Sequence, residues 1–215
     1  QRADAGRKRA QGARDLAKAW GEVTLSELGF GEGSAQTVRV MPKGQEGRSE
    51  DIQAAEKFFR SMGVQNARFF TGHLTQEIDG QTFYADAAVT EDGSVLIRAD
   101  SEEYSAFELA KHEGYHLLAK RWPEMAAKIR KRLLGEGKIT KEMIESYVDA
   151  YAGIYGDDTD AYVEEIIADT YAGMNRTDYG TNKLRADVKM EVGQWQKKSG
   201  SARAPPVKMS AAKDQ

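Results

Sequence analysis

Every strand-like segment of this 215-residue sequence comes before Asp100, and only helical patterns follow it. Side chains alternate between two faces along residues 82–90, and Glu91-Asp92-Gly93 then precedes the apolar Val95, Leu96 and Ile97 of residues 94–99. This pattern is typical of a β-hairpin. Shorter strands are predicted at residues 37–41 and 67–71. This segregation of strands from helices favours an α+β fold, with a small antiparallel or mixed sheet packed on a mainly helical C-terminal half.

Seven helices are predicted from apolar spacing and from capping signals. Ser105 and Glu108 form a capping box that opens a helix continuing to Trp122, and Pro123 can open the next one. The first helix is expected to be mostly exposed, with Leu16, Ala19 and Trp20 as its apolar stripe. The predicted helices cover residues 2–20, 51–62, 105–122, 123–134, 140–154, 160–174 and 181–197.

Three regions are expected along the chain. Residues 1–50 read as a basic helix followed by a glycine-rich connector, and residues 51–198 as the main domain. The last segment, 199–215, is small, polar and interrupted by prolines, so we expect it to be disordered.

The composition excludes several classes of function. Lys and Arg total 31 against 34 Asp and Glu, so no excess of positive charge indicates a nucleic-acid partner. No run approaches the roughly 18 apolar residues of a spanning helix, so we expect a soluble chain. The absence of cysteine excludes disulfides, a thiolate nucleophile and Cys-ligated metal, and it is compatible with both cytoplasmic and secreted proteins. Any metal site must use histidine and carboxylate.

Two of the three histidines lie in the segment His112-Glu113-Gly114-Tyr115-His116, inside a predicted helix. Residues four apart share one face of a helix, so both imidazoles can point a ring nitrogen at one metal ion. Glu113 lies about 100° around the helix, where it can reach a water molecule rather than the metal. Catalytic zinc takes three protein ligands, so a third ligand is required.

The third ligand is predicted in the later helix that contains Glu164-Glu165-Ile166-Ile167-Ala168-Asp169. Glu165 and Asp169 are four apart and share a face, which suits a ligating carboxylate and a second carboxylate that orients a ligand histidine. Glu164 points elsewhere and is expected to matter little for zinc binding. Glutamates near a helix N-terminus also commonly face solvent, where they offset the helix dipole. Three aspartates remain alternative ligands: Asp149, Asp157 and Asp158.

The combination of His112-Glu-x-x-His116 with Glu165-x-x-x-Asp169 resembles the glutamate-type zincins, the gluzincin group of zinc metallopeptidases. The small size and the E-x-x-A-D phrase also resemble compact zincin domains of phage and mobile elements, including the ImmA/IrrE-like peptidases. The resemblance covers roughly residues 82–174. It implies zinc held by His112, His116 and Glu165, with Asp169 orienting His112.

By the same resemblance, the reaction is hydrolysis of a peptide bond in a peptide or protein substrate, with Glu113 as general base. The β-hairpin is similar to the zincin upper sheet, whose edge strand aligns an extended substrate. A metzincin is excluded, because Ala119 and Trp122 stand where its glycine and third histidine would be. The candidate oxyanion donors are Tyr155, Tyr171, Tyr179 and His73. The alternative function is a zincin-fold binding or scaffold module with structural metal or vestigial activity.

Overall fold

The structure, a computed structural model, describes residues 2–30, 34–45, 48–78, 81–89, 93–151, 154–174 and 182–199. Within these residues the fold is α+β, as predicted. The helices are α1 Arg2–Ala17, α2 Glu50–Ser61, α3 Ala106–Arg121, α4 Pro123–Gly135, α5 Lys141–Ala150, α6 Thr159–Ala172 and α7 Asn182–Ser199. The strands are β1 Gly21–Thr24, β2 Thr37–Val40, β3 Ala67–Thr71, β4 Leu74–Ile78, β5 Gln81–Ala85, β6 Ala87–Val89 and β7 Val95–Arg98.

The chain divides into two compact units, Gln1–Gly114 and Tyr115–Gln215, and the division falls inside α3. The first unit contains a five-stranded mixed sheet in the order β1-β2-β3-β7-β6. Strands β3 and β7 run parallel and the other neighbours run antiparallel. Strands β4 and β5 form a separate two-stranded sheet.

The predicted hairpin is confirmed in part, because β6 pairs antiparallel with β7, placing Ala87 opposite Ile97 and Val89 opposite Val95. The predicted single strand at 82–90 is instead two strands, β5 and β6, which belong to different sheets. Asp86 separates them, and its carboxylate accepts hydrogen bonds from Arg98 Nη1 at 2.9 Å and Ser101 Oγ at 2.9 Å. These bonds draw the Asp86 side chain out of the strand alternation and end β5.

Strand β7 has a neighbouring strand on each side in the sheet and is buried along its whole length. Six side chains form a core cluster: Leu25, Val38, Val40, Phe70, Leu74 and Leu96. The sequence did not predict strands β1 and β4, which hold only short apolar patterns.

Helix α1 ends at Ala17, earlier than predicted, and most of its residues are exposed, as expected. Its buried face consists of small residues: Gly6, Ala10, Ala13 and Ala17. Of the predicted stripe only Trp20, just beyond the helix, is buried. Small residues let the helix backbone approach its neighbour closely, and a Cβ on Gly6 would collide with the carbonyl oxygen of Glu102.

The second unit is helical, and α6 packs against α4, α5 and α7. Asp158 caps the N-terminus of α6 by accepting from the Ala161 amide at 3.1 Å, and Gly173 ends the helix with φ of 82°. Nearly every residue of α6 from Tyr162 onward is buried. Helix α5 ends at Ala150 rather than at residue 154.

Helix α7 ends at Ser199, the last residue that the structure describes. The rest of the segment that we expected to be disordered, residues 200–215, lies outside the described residues. The predicted region boundaries at residues 50 and 198 stay predictions. Among the described helices, none combines the length and the apolar character needed to cross a bilayer.

Candidate metal centre

Helix α3, which carries the His-Glu-Gly-Tyr-His segment, begins with two sets of caps. The predicted capping box is present, because the Ser105 amide donates to Glu108 Oε2 at 2.9 Å and the Glu108 amide donates to Ser105 Oγ at 3.1 Å. The carboxylate of Asp51 in α2 accepts from the Ala106 and Phe107 amides at 2.7 and 3.0 Å. The amides of the first turn have no acceptor within the helix, and these bonds supply one. They thereby fix the start of the helix that holds both histidines.

Three side chains from α3 and α6 bring their ligand atoms together: His112, His116 and Glu165. One ligand atom from each lies within 4.8 Å of the other two. His116 Nε2 is 3.4 Å from Glu165 Oε1. The side chains of His112 and Glu165 are buried and that of His116 is half-buried. The structure thus unites the three predicted ligands.

The spacing of these atoms fits a metal ion. Ligands about 2.0–2.1 Å from a tetrahedral zinc lie about 3.3 Å from each other, and the His116 to Glu165 separation of 3.4 Å agrees with this value. Two imidazole nitrogens and one carboxylate oxygen are a donor set that suits zinc and several other first-row metals. The group can therefore hold a metal ion.

Glu165 is held by a tyrosine as well as by its helix. The Tyr155 hydroxyl donates to Glu165 Oε1 at 2.7 Å, the same oxygen that faces His116. The Tyr155 ring meets the Tyr162 ring edge to face, with centroids 5.6 Å apart. The Tyr162 hydroxyl in turn donates to the Gly156 carbonyl at 3.0 Å. A buried carboxylate with a phenol donor on the ligand oxygen keeps a defined orientation.

Asp169 lies one turn after Glu165 on α6 and is fully buried. The Tyr147 hydroxyl donates to Asp169 Oδ2 at 2.8 Å. Burial of a carboxylate requires hydrogen bonds of this kind, because removing its charge from water is costly. The predicted role of Asp169 in orienting His112 stays a prediction.

Glu164 is not in the group of possible metal ligands with Glu165, but it contacts His116, which the expectation that Glu164 matters little did not foresee. Its Oε1 lies 3.3 Å from His116 Nδ1, the ring nitrogen opposite the one that faces Glu165. Its Oε2 accepts from Arg130 Nη1 of α4 at 3.1 Å. Glu164 and Arg130 are the members of the site that sequence reasoning missed. An i, i+4 pattern within one helix does not reveal a contact with another helix.

The residues between the histidines have distinct environments. Glu113 is half-buried on α3 beside His112. Gly114 faces α2, where an added Cβ would lie 2.5 Å from Phe58 Cε1 and 3.0 Å from Met62 Sδ. Tyr115 is buried, and burial together with the negative charge of Glu164 raises the pKa of its phenol well above the usual range.

The other predicted site residues have separate surroundings. His73 Nδ1 lies 3.0 Å from Arg98 Nη1, and its ring meets the Tyr84 ring edge to face. The Tyr171 ring packs against Tyr115, with centroids 6.3 Å apart. Tyr179 lies outside the described residues. In the described part of the chain, the group of possible metal ligands does not include the alternative aspartates Asp149, Asp157 and Asp158. Asp158 instead caps α6.

Comparison with known proteins adds no relative to this site. No protein-family model, curated protein or solved structure matches the chain.

Proposed function

We propose that the chain is a zinc-dependent metallopeptidase with a zincin-like fold. The observation that carries the proposal is the convergence of His112, His116 and Glu165, with Glu113 on the same helix as the two histidines. Two helical histidines four apart, an intervening glutamate and a carboxylate from a later helix form the donor set and base that hydrolytic zinc sites use.

Zinc held by these ligands would polarise the carbonyl of the scissile bond and lower the pKa of the attacking water. Glu113 accepts a proton from that water and donates it to the amine of the leaving peptide. Tyr155 is our candidate for the oxyanion donor, because its hydroxyl lies beside the ligand carboxylate. Its one hydrogen, which donates to Glu165 Oε1 at 2.7 Å, would turn to the oxyanion as that charge develops. His112, His116 and Glu165 would hold the metal.

The proposed substrate is an extended peptide or an unfolded segment of a protein. Strand β6 lies at one edge of the five-stranded sheet, where its outer backbone groups are not paired with a strand in the described sheet. An extended chain can add to such an edge through main-chain hydrogen bonds. This mode of binding favours peptide substrates over small molecules.

The alternative is a binding or scaffold module with a structural metal. Structural zinc sites are closed by four protein ligands, whereas catalytic sites use three and leave one position to water. The group found in the described residues contains three ligand residues. Catalysis also requires a general base, and the half-buried Glu113 next to His112 can supply it. A structural site needs no such base. Both features favour the enzyme.

The proposal is tested by hydrolysis of a fluorescently labelled unfolded protein by the zinc-loaded chain. We expect cleavage that a chelator abolishes and added zinc restores. Glu113→Gln should keep its zinc and lose at least about 100-fold in rate, because the amide cannot accept the proton. Glu124→Gln, which removes an exposed glutamate of α4, is the matched control. Cleavage by Glu113→Gln at the parental rate would refute the assignment of the base.

A further inference from the structure

The two oxygens of the Glu164 carboxylate contact two different side chains, those of His116 and Arg130. Oε1 lies 3.3 Å from His116 Nδ1, and Oε2 lies 3.1 Å from Arg130 Nη1. The three side chains come from three different helices, α3, α6 and α4. They are between 19% and 28% exposed, so solvent screens them less than it screens a surface pair.

The contact with Glu164 influences which nitrogen of His116 carries the hydrogen. An ionised carboxylate only accepts hydrogen bonds, so the contact is favourable when Nδ1 of His116 is the donor. In the neutral ring, the lone pair then belongs to Nε2. Nε2 is the nitrogen that faces Glu165 Oε1 at 3.4 Å. Without a metal, Glu165 favours a hydrogen on Nε2 in the same way. Glu164 therefore supports the Nδ1–H tautomer once a metal ion takes the Nε2 lone pair.

Arg130 in turn orients the Glu164 carboxylate and offsets its negative charge. A guanidinium that donates to Oε2 limits rotation of the carboxylate and keeps Oε1 directed at His116. It also supplies a positive charge beside the Glu164 carboxylate. Arg130 Nη2 is 3.9 Å from Asp160, whose side chain is 72% exposed, so that second contact constrains Arg130 only weakly.

We infer that Arg130 is a positioning residue for the metal centre, acting on His116 through Glu164. This inference rests on the proposed function, because it concerns the same His116. It assigns to Arg130 no contact with the metal or the substrate. Its effect on metal affinity depends entirely on the presence of the Glu164 carboxylate.

The test is a zinc titration of the metal-free full chain against a chromophoric chelator. Outer contacts to metal-ligating histidines are worth about 10–100-fold in metal affinity. We therefore expect Glu164→Leu to weaken zinc binding by about 10–100-fold and Arg130→Met by about 10-fold. The double variant should bind zinc no more weakly than Glu164→Leu alone, since Arg130 acts only through Glu164.

Two controls and a spectroscopic measurement separate positioning from general damage. Lys131→Met removes an exposed positive charge from α4, and Asp160→Asn removes the exposed partner of Arg130. Both should leave zinc affinity within about twofold. Glu164→Gln keeps an acceptor oxygen for Nδ1 and should recover most of the affinity lost in Glu164→Leu. The visible spectrum of the cobalt-loaded chain should shift in Arg130→Met and remain parental in Lys131→Met.

The outcomes test the role of Arg130 separately from the proposed peptidase activity. Parental zinc affinity in Arg130→Met, or additive losses in the double variant, would overturn the role of Arg130 and leave the peptidase proposal standing. A parent that binds no zinc would overturn both. Equal losses in Arg130→Met and Lys131→Met would also overturn the inference, because they would reflect only the net charge of α4.

Discussion

Gly114→Ala provides a test of the packing that supports the histidine helix. In an isolated helix this change stabilises by about 1 kcal/mol, because glycine is a poor helix former. Here the new Cβ would lie 2.5 and 2.8 Å from Phe58 Cε1 and Cζ, distances that force a neighbour to move. Overpacking of this kind costs about 1–3 kcal/mol. The expected net effect is a loss of about 0–2 kcal/mol in the free energy of unfolding.

The steric reason can be checked by removing the obstructing ring. In a Phe58→Ala background the collision with Phe58 disappears, and Met62 is flexible enough to yield to the remaining contact. Gly114→Ala should then stabilise the chain by about 1 kcal/mol relative to Phe58→Ala alone. The sign of the effect therefore reverses between the two backgrounds.

Urea denaturation of the metal-free chain measures all four variants of this cycle. Gly12→Ala in α1 is the matched control, because nothing lies within 4 Å of its added Cβ and the residue is exposed. It should stabilise by about 1 kcal/mol. If Gly114→Ala in the parent stabilises as much as Gly12→Ala does, Phe58 does not press on α3 and the reasoning is wrong.

Three further predictions concern a carboxylate and several tyrosines between residues 147 and 171. In the urea assay, Tyr147→Phe should lower the free energy of unfolding by about 1.5–3 kcal/mol, because buried Asp169 loses a hydrogen-bond donor. Tyr162→Phe is the control: it loses only a hydrogen bond to the neutral Gly156 carbonyl and should lower the free energy of unfolding by about 0.5–1.5 kcal/mol. Asp169→Ala should weaken zinc binding by about 10–100-fold, and an unchanged dissociation constant would remove Asp169 from the metal site. Tyr155→Phe should lower kcat by about 100-fold at saturating zinc, whereas Tyr171→Phe should not, and equal kcat values for the two variants would reject Tyr155 as the oxyanion donor.

The element types could be predicted because local signals dominated. The capping box at Ser105 and the spacing of His112 and His116 are properties of one helix, and the structure confirms both the helix and the union of the two histidines with Glu165. Strand β3 was predicted with its observed bounds because two adjacent aromatic residues, Phe69 and Phe70, lie in a short segment between Asn66 and Gly72, which are typical turn residues.

The features that the sequence concealed all depend on contacts between distant elements. The break at Asp86 follows from hydrogen bonds with Arg98 and Ser101, and these partners are invisible to a period-2 pattern. The alanine face of α1 escaped detection because small residues give little apolar signal, although they permit close packing. The contacts of Glu164 with His116 and Arg130 join three helices, so no spacing rule within α6 could reveal them.

The most direct measurement of the central claim is the zinc content of the chain after equilibration with zinc and removal of excess metal, by elemental analysis. The account predicts about one zinc per chain for the parent and for Glu113→Gln, because the base is not a ligand. It predicts almost none for Glu165→Ala, which removes the buried ligand carboxylate. A parent that stays metal-free, or a Glu165→Ala variant that holds zinc as tightly as the parent, would contradict the claim that His112, His116 and Glu165 form a catalytic zinc site.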